Sequence, residues 1–382
     1  MTKFKNILIT GGAGFIGSNL ALKLIENGYE VTLLDNLSTQ IHGENPEQDS
    51  PLYQSILGKT NFIKGDVSNK NDWEKAIQKQ DIIVHLAAET GTGQSMYEIE
   101  RYNRVNSYGT ALMMDCLMNQ NHQVKKVILA SSRAVYGEGK YMHPEKGIVY
   151  PISREKENME KGIFDFIDEN QMKITPLPTD EDSKIHPISF YGTTKAHQED
   201  IVKQCCESAG LEYVILRFQN VYGAGQSMKN PYTGIISIFS NQIMNNQSIN
   251  IFEDGKPVRD FVEVRDVTES IQRSIELDSA NGHVLNIGTG IPTTVLEVAQ
   301  TLVRHYSSNT KVKVTGDFRI GDIRYNVADL TKMKKHLNFT PKISFEDGIQ
   351  RFTDWAKQQE ISDSRFQKSL KEMEDKGLFF KS

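Results

Sequence analysis

Tyr191 and Lys195 stand four residues apart in the run YGTTK, and Ser132 ends the run ASS that follows a short apolar stretch. On a helix, residues four apart share one face. A lysine ammonium beside a phenol favours the phenolate and lowers its pKa, and a serine hydroxyl nearby can hydrogen-bond a substrate oxygen. Ser132, Tyr191 and Lys195 together form a device for moving a proton while a hydroxyl and a carbonyl interconvert. That chemistry needs a hydride partner, and the chain offers a place for one. GGAGFIG at 11–17 follows a strand-like run and opens a helix-like one, the setting in which a glycine motif holds a dinucleotide. Gly11 allows the tight turn, Gly14 lets a pyrophosphate approach the backbone, and Gly17 permits close packing of helix on strand. The helix start presents free N–H groups and partial positive charge to phosphate. Asp35 ends the next strand, about twenty residues on, where a carboxylate accepts from ribose hydroxyls. It would repel a 2′-phosphate, so NAD is expected rather than NADP. Asn36 offers a second ribose contact, and Asp66 and Val67 follow the third strand, where adenine would be met.

These residues need a scaffold that brings strand ends together. Apolar runs at 6–10, 30–34, 62–63, 81–86, 126–130 and 213–217 alternate with helical patterns, such as 15–27 with Ile16, Leu20 and Leu24 on one side. Strands separated by helices imply βαβ units and a parallel sheet. The expected fold is α/β: a Rossmann-type doubly wound parallel sheet over 1–215, then a smaller substrate-binding α/β region over 216–360. Residues 141–188 break the pattern. They are polar and carry five prolines, and so read as an insertion with one short helix near 155–166, lacking a core of its own. The insertion joins the strand of Ser132 to the helix of Tyr191, which suggests a pocket wall or lid. From 297 to 305 and from 345 to 357 the chain reads as helical, and from 361 to 382 as a charged, peripheral tail.

Composition removes several classes of function. Of 382 residues 38% are hydrophobic and 24% charged, with a formal net charge of −5. Such a chain is not built to neutralise nucleic-acid phosphates, so an anionic ligand must be held by local arginine, lysine and backbone N–H groups. Three cysteines, two of them adjacent, make a disulfide framework unlikely, and no His/Cys cluster has zinc-ligand spacing. No run approaches the ~18 apolar residues of a membrane span, and the N-terminus does not read as a signal peptide. A cytoplasmic protein with no metal, nucleic-acid or membrane partner is expected.

The order of motifs resembles the extended short-chain dehydrogenase/reductase family, in particular its nucleotide-sugar epimerases. The resemblance rests on GGAGFIG, LDNLS at 34–38, HLAA at 85–88, VNSYGT at 105–110, SSRAVYG at 131–137, YGTTK at 191–195, RFQNVYG at 217–223, RDFVEVRD at 259–266 and NIGTG at 286–290. It implies that Tyr191 is the general base, that Lys195 holds both it and the nicotinamide ribose, and that the active hydroxyl is Ser132 and not Ser131. It adds Phe15, Ile16, Leu86, Ala87, Ala88 and Asn106 to the NAD site. On the substrate side it implies Thr90 and Arg133 near the sugar and Asn220, Arg259 and Arg319 at the phosphates of a dTDP- or UDP-sugar, in a homodimer. Arginine forks match phosphate oxygens, although Arg259 could instead pair with Asp260 or Asp266. The 4,6-dehydratases of the family carry an Asp–Glu pair after the active hydroxyl. Arg133-Ala134 stands there, which disfavours elimination and fits a 4-epimerase. The segment ETGTGQSM at 89–96, with SSRAVYGEG and the long insertion, is similar to the dTDP-L-rhamnose 4-epimerases. A UDP-hexose 4-epimerase, a 4-keto-sugar reductase and a non-catalytic binding protein remain as alternatives.

Overall fold

The computed structural model describes residues 4–168, 170, 172–228, 230, 232, 234–359 and 366–381. Seven parallel strands form the main sheet: β1 (Asn6–Thr10), β2 (Glu30–Asp35), β3 (Asn61–Lys64), β4 (Ile82–His85), β5 (Lys126–Ser132), β6 (Glu212–Phe218) and β7 (His283–Ile287), in the spatial order β7-β6-β5-β4-β1-β2-β3. The expected doubly wound Rossmann sheet is present. Its order reverses between β1 and β4, the switch point outside whose strand ends ligands bind in such sheets.

Strand alternation explains why both faces are covered. Ile7 and Ile9 of β1 enter one core with Leu20, Leu24, Ile271 and Ile275. Leu8 enters the other, with Trp73, Met113, Leu117 and Val202. Ile271 and Ile275 belong to the helix Val264–Glu276, which packs on the first helix, Phe15–Glu26. The C-terminal half therefore returns to the sheet with both a strand and a covering helix. The sheet does not end at the boundary expected at 215. β7 follows the strand Val258–Glu263, which belongs to a different sheet, and the helix Val264–Glu276, so position along the chain does not mark it as a partner of β6.

A second region holds Asn220–Tyr222, Val258–Glu263, Pro292–Thr294 and Tyr325–Asn326 as a small mixed sheet. Its core gathers Tyr222, Phe239, Phe261, Leu302 and Phe352 beneath the helices Ile235–Met244, Val295–His305 and Phe345–Ala356.

Two expectations need correction. The insertion is not without a core. Tyr141–His143 pairs antiparallel with Gly147–Val149 and Thr175–Pro176, and Tyr141, Phe166 and Ile174 pack together against Val149 and Tyr325. Few apolar residues suffice because they are shared with the C-terminal region. The tail is not peripheral either. The helix Phe366–Asp375 buries Ser369 and Met373, and Phe379–Phe380 pairs antiparallel with Phe318–Arg319. Among the described residues no helix is long and apolar enough to cross a membrane.

Candidate active site

A cleft of about 440 Å³ runs along the C-terminal ends of β1, β2, β4, β5 and β6. Its cofactor side begins at the glycine turn. Gly11 has φ +67°, a region costly for side chains, and a Cβ on Gly17 would lie 2.2 Å from the Gly11 carbonyl oxygen. The helix Phe15–Glu26 starts immediately after Gly14 with no side-chain cap, so its first N–H groups face the cleft. The Asp35 carboxylate accepts from the Leu37 N–H at 2.8 Å and the Ala13 N–H at 3.0 Å, bracing this turn. Burial raises its pKa, and those N–H groups and His42 oppose the rise. Gly11, Gly14, Phe15, Ile16, Gly17, Asp35, Asn36, Val67, Leu86, Ala87 and Ala88 all line the cleft.

Two expected cofactor residues do not. Asn106 is fully buried. Its carbonyl accepts from the Glu89 N–H at 2.8 Å, and its amide donates to the Glu89 carbonyl and to Thr194 Oγ1. It fixes the loop after β4 from behind, because its side chain is spent on that loop's backbone. The Asp66 carboxylate holds Ser68 and accepts from Asn36 Nδ2 at 3.0 Å. It faces an adjoining cavity walled partly by Lys368, Ser369 and Glu372 of the C-terminal helix.

The reactive groups meet on the other side. Adjacent residues of β5 point to opposite faces. Both serines line the cleft, but Ser131 donates its hydroxyl to Glu199, itself paired with Arg217 at 2.7 Å, while Ser132 stands there with Tyr191 and Lys195. Ser189 caps the helix Phe190–Ala209 by accepting from the Gly192 N–H, and the Tyr191 N–H donates to Ser95 Oγ at 3.0 Å. Burial raises the Tyr191 phenol, and a hydrogen bond with Ser132 and the Arg133 charge pull it down. The expected direct lowering by Lys195 is not what the geometry gives. Lys195 Nζ donates to the Ala130 carbonyl at 2.8 Å and lies 5.9 Å from the Tyr191 ring centre. Sharing a helix face brings the two residues together, but the ammonium turns to the strand. Burial pushes it down to about 7, with Glu199 opposing.

On the sugar side Thr90, Arg133 and Asn220 line the cleft, and Arg133 Nε donates to Asn220 Oδ1 at 2.9 Å. Burial and then the like charge of Arg259 push Arg133 down to about 9. Arg259 and Arg319 are outside the cleft wall. Arg259 is buried and donates to the Val258 carbonyl at 2.9 Å. It is not paired with Asp260, which accepts from Thr289 and Gly290, nor with Asp266, which accepts from Lys342 and Ile343. Arg319 Nε and Nη2 both reach Asp322 Oδ2, at 2.9 and 2.7 Å. The Asp322 charge is also felt by Arg133 and Arg259.

The chain matches the NAD dependent epimerase/dehydratase family over residues 7–157 and the GDP-mannose 4,6 dehydratase family over 173–352. It is 36% identical to a dTDP-L-rhamnose 4-epimerase of Burkholderia thailandensis over 93% of this chain and 96% of that protein. It belongs to the NAD-dependent epimerase/dehydratase family. Members of this family are extended short-chain dehydrogenases/reductases, and this one is an NAD-dependent nucleotide-sugar epimerase. Its fold overlays the UDP-glucose 4-epimerase of Thermotoga maritima solved with UDP-glucose, with TM-score 0.73, 29% identity and coverage of 92% and 98%. It also overlays the UDP-N-acetylglucosamine 4-epimerase of Methanobrevibacter ruminantium, with TM-score 0.71, 31% identity and the same coverage.

Against this family background, the glycine cradle, the free helix start and Asp35 fit NAD. Sequence reasoning passed over Ser95, which anchors Tyr191, and Tyr232, which lines the cleft and donates to Glu372 at 2.8 Å. Ser95 lies inside the ETGTGQSM segment already singled out. Tyr232 carries no local signal, since its role depends on a helix some 140 residues later.

Proposed function

We propose that this epimerase inverts C4 of a nucleotide sugar through a transient 4-keto sugar, and that the substrate pair is dTDP-L-rhamnose and dTDP-6-deoxy-L-talose. The observation that carries the reaction type is that Ser132, Tyr191 and Lys195 line one cleft, with Arg133-Ala134 following the serine. Ala134 has no titratable group, and Arg133 is engaged by Asn220, so the acid and base that elimination needs are missing at these two positions. The 36% identity to a dTDP-L-rhamnose 4-epimerase supports the choice of sugar.

When bound, NAD supplies the acceptor and then the donor of the C4 hydride. Gly11, Gly14 and Gly17 would take its pyrophosphate, Asp35 and Asn36 a ribose, and Lys195 the nicotinamide ribose. Tyr191 takes the C4 hydroxyl proton as the carbonyl forms, and returns it once the keto sugar has presented its other face. Ser132 donates a hydrogen bond to the same oxygen. Thr90, Arg133 and Asn220 orient the sugar end, and Arg259 and Arg319 hold the diphosphate with the charge that Asp322 organises. Because oxidation and reduction cancel, the cofactor need not leave.

The test is a panel of dTDP- and UDP-sugars incubated with enzyme and no added NAD, read by NMR of the sugar. Inversion at C4 of dTDP-L-rhamnose is the expected result. Inversion of a UDP-hexose alone would replace the substrate, a reading that the UDP-glucose 4-epimerase neighbour supports. Turnover only with stoichiometric reduced cofactor would make the protein a reductase.

A further inference from the structure

Among the described residues of the insertion, none is in the cleft wall. One of its side chains nevertheless reaches into the arginine group behind that wall. Arg154 is 4% exposed at its side chain. Its Nη1 donates to Glu253 Oε2 at 2.6 Å, and its Nη2 donates to the backbone carbonyl of Asp322 at 2.7 Å. Its Nε, which has no hydrogen-bond partner, points at Glu138 Oε1 3.8 Å away, an oxygen that also has none. Glu138 ends the SSRAVYGE segment that begins with Ser131 and Ser132, and its other oxygen accepts from the Arg324 N–H at 2.8 Å. The guanidinium thus sits where three parts of the chain converge: the segment beyond the catalytic serine, the turn at Glu253, and the turn at 319–324.

The contact with Asp322 matters most. That residue's side chain holds both reaching nitrogens of Arg319, and its charge attracts Arg133 and Arg259. A carbonyl pinned by a buried guanidinium fixes the Asp322 backbone, and so fixes where those arginines point. A planar fork suits this double task better than an ammonium, which acts as a point charge.

We propose that Arg154 is a positioning residue for the substrate diphosphate, holding the Asp322 turn so that Arg259 and Arg319 present a preset phosphate site. The inference rests on the assignment of those two arginines to the phosphates. It gives the insertion a part in substrate binding without a place in the cleft.

The experiment measures binding of dTDP and UDP to the NAD-loaded enzyme by calorimetry, for wild type, Arg154→Met, Arg154→Lys and Arg259→Ala, together with kcat, KM and thermal melting. Arg154→Met should weaken nucleotide binding and raise KM by about tenfold or more, with kcat changed less than KM and NAD retained. Arg154→Lys keeps the charge beside Glu253 and loses the fork. It should melt near wild type and fall between the two in affinity, and it carries the test if Arg154→Met fails to fold. Wild-type nucleotide affinity in a folded Arg154 variant, with Arg259→Ala weakened, overturns the role of Arg154 and leaves the phosphate assignment standing. Wild-type affinity in Arg259→Ala as well overturns that assignment too.

Discussion

Tyr191 works under opposing influences. Burial favours the neutral phenol, while the Ser132 hydrogen bond and the Arg133 charge favour the phenolate. Tyr191→Phe removes the proton path and little else, since the ring and the contact of its backbone N–H with Ser95 remain. Turnover should fall by about 10²-fold or more, with NAD binding and melting temperature kept; near-normal turnover would assign the base elsewhere. His85 offers a different residue-scale test. Its ring lies between Thr10 Oγ1 at 2.7 Å and Thr110 Oγ1 at 3.0 Å, and burial pushes it down to about 3. The unfolded chain takes up this proton near pH 6.5 and the folded one does not. Its contribution to stability is therefore full above about pH 6.5 and is lost as the pH falls towards 3, by an upper bound of roughly 5 kcal/mol. Chemical denaturation from about pH 7 to 4 should give a shallower slope for His85→Gln than for wild type; equal slopes would remove His85 from the acid response. At this scale much was legible. Both neighbouring serines touch the cleft, but the Ser131 hydroxyl is given to Glu199, and the residue that the family pattern names is Ser132. The partner of Lys195 was not legible, because helical spacing says nothing about a carbonyl on a strand.

The first helix and the strand before it meet so closely that one methyl group decides their fit. Gly17→Ala places its Cβ on the Gly11 carbonyl oxygen, with Gly12 Cα only 2.8 Å away. Backbone cannot move aside as a side chain can, so overpacking of at least about 1–3 kcal/mol is expected. Thermal melting and NAD titration check this, and an alanine variant with wild-type values for both would mean that the turn relaxes freely. Elements with a strong local period were readable: the glycine turn, the first six strands and the helix of Tyr191 all appear within a few residues of their sequence signals. The elements that went unread have long-range partners. β7 is defined by pairing with β6, and Phe379–Phe380 by pairing with Phe318–Arg319. The three short strands of the insertion hold little apolar surface, and their packing borrows Tyr325.

At the scale of the molecule, the cofactor side and the substrate side are not two parcels laid end to end. A fragment ending at 215 lacks the last residues of β6, all of β7 and the helix Val264–Glu276 that covers the first core. Expressed alone, it should be insoluble or show no cooperative melting; a soluble fragment that melts cooperatively and binds NAD would contradict this. Asn286 on β7 is fully buried. Its carbonyl accepts from the Tyr136 hydroxyl at 2.7 Å, its backbone N–H donates to Glu181 Oε1 at 2.7 Å, and its amide donates to the carbonyls of Thr179 and Asp329. One amide side chain thus fastens the segment beyond Ser132, the far end of the insertion and the chain at Asp329 in the last third of the sequence. For inheritance the consequence is direct. A crossover between two diverged relatives that falls between 137 and 283 would unite an Asn286 from one parent with a Tyr136 from the other, across surfaces that had drifted separately. A chimaera of this kind keeps the hub only where both parents carry the same hydroxyl and amide, so one hydrogen bond constrains which segments can be exchanged.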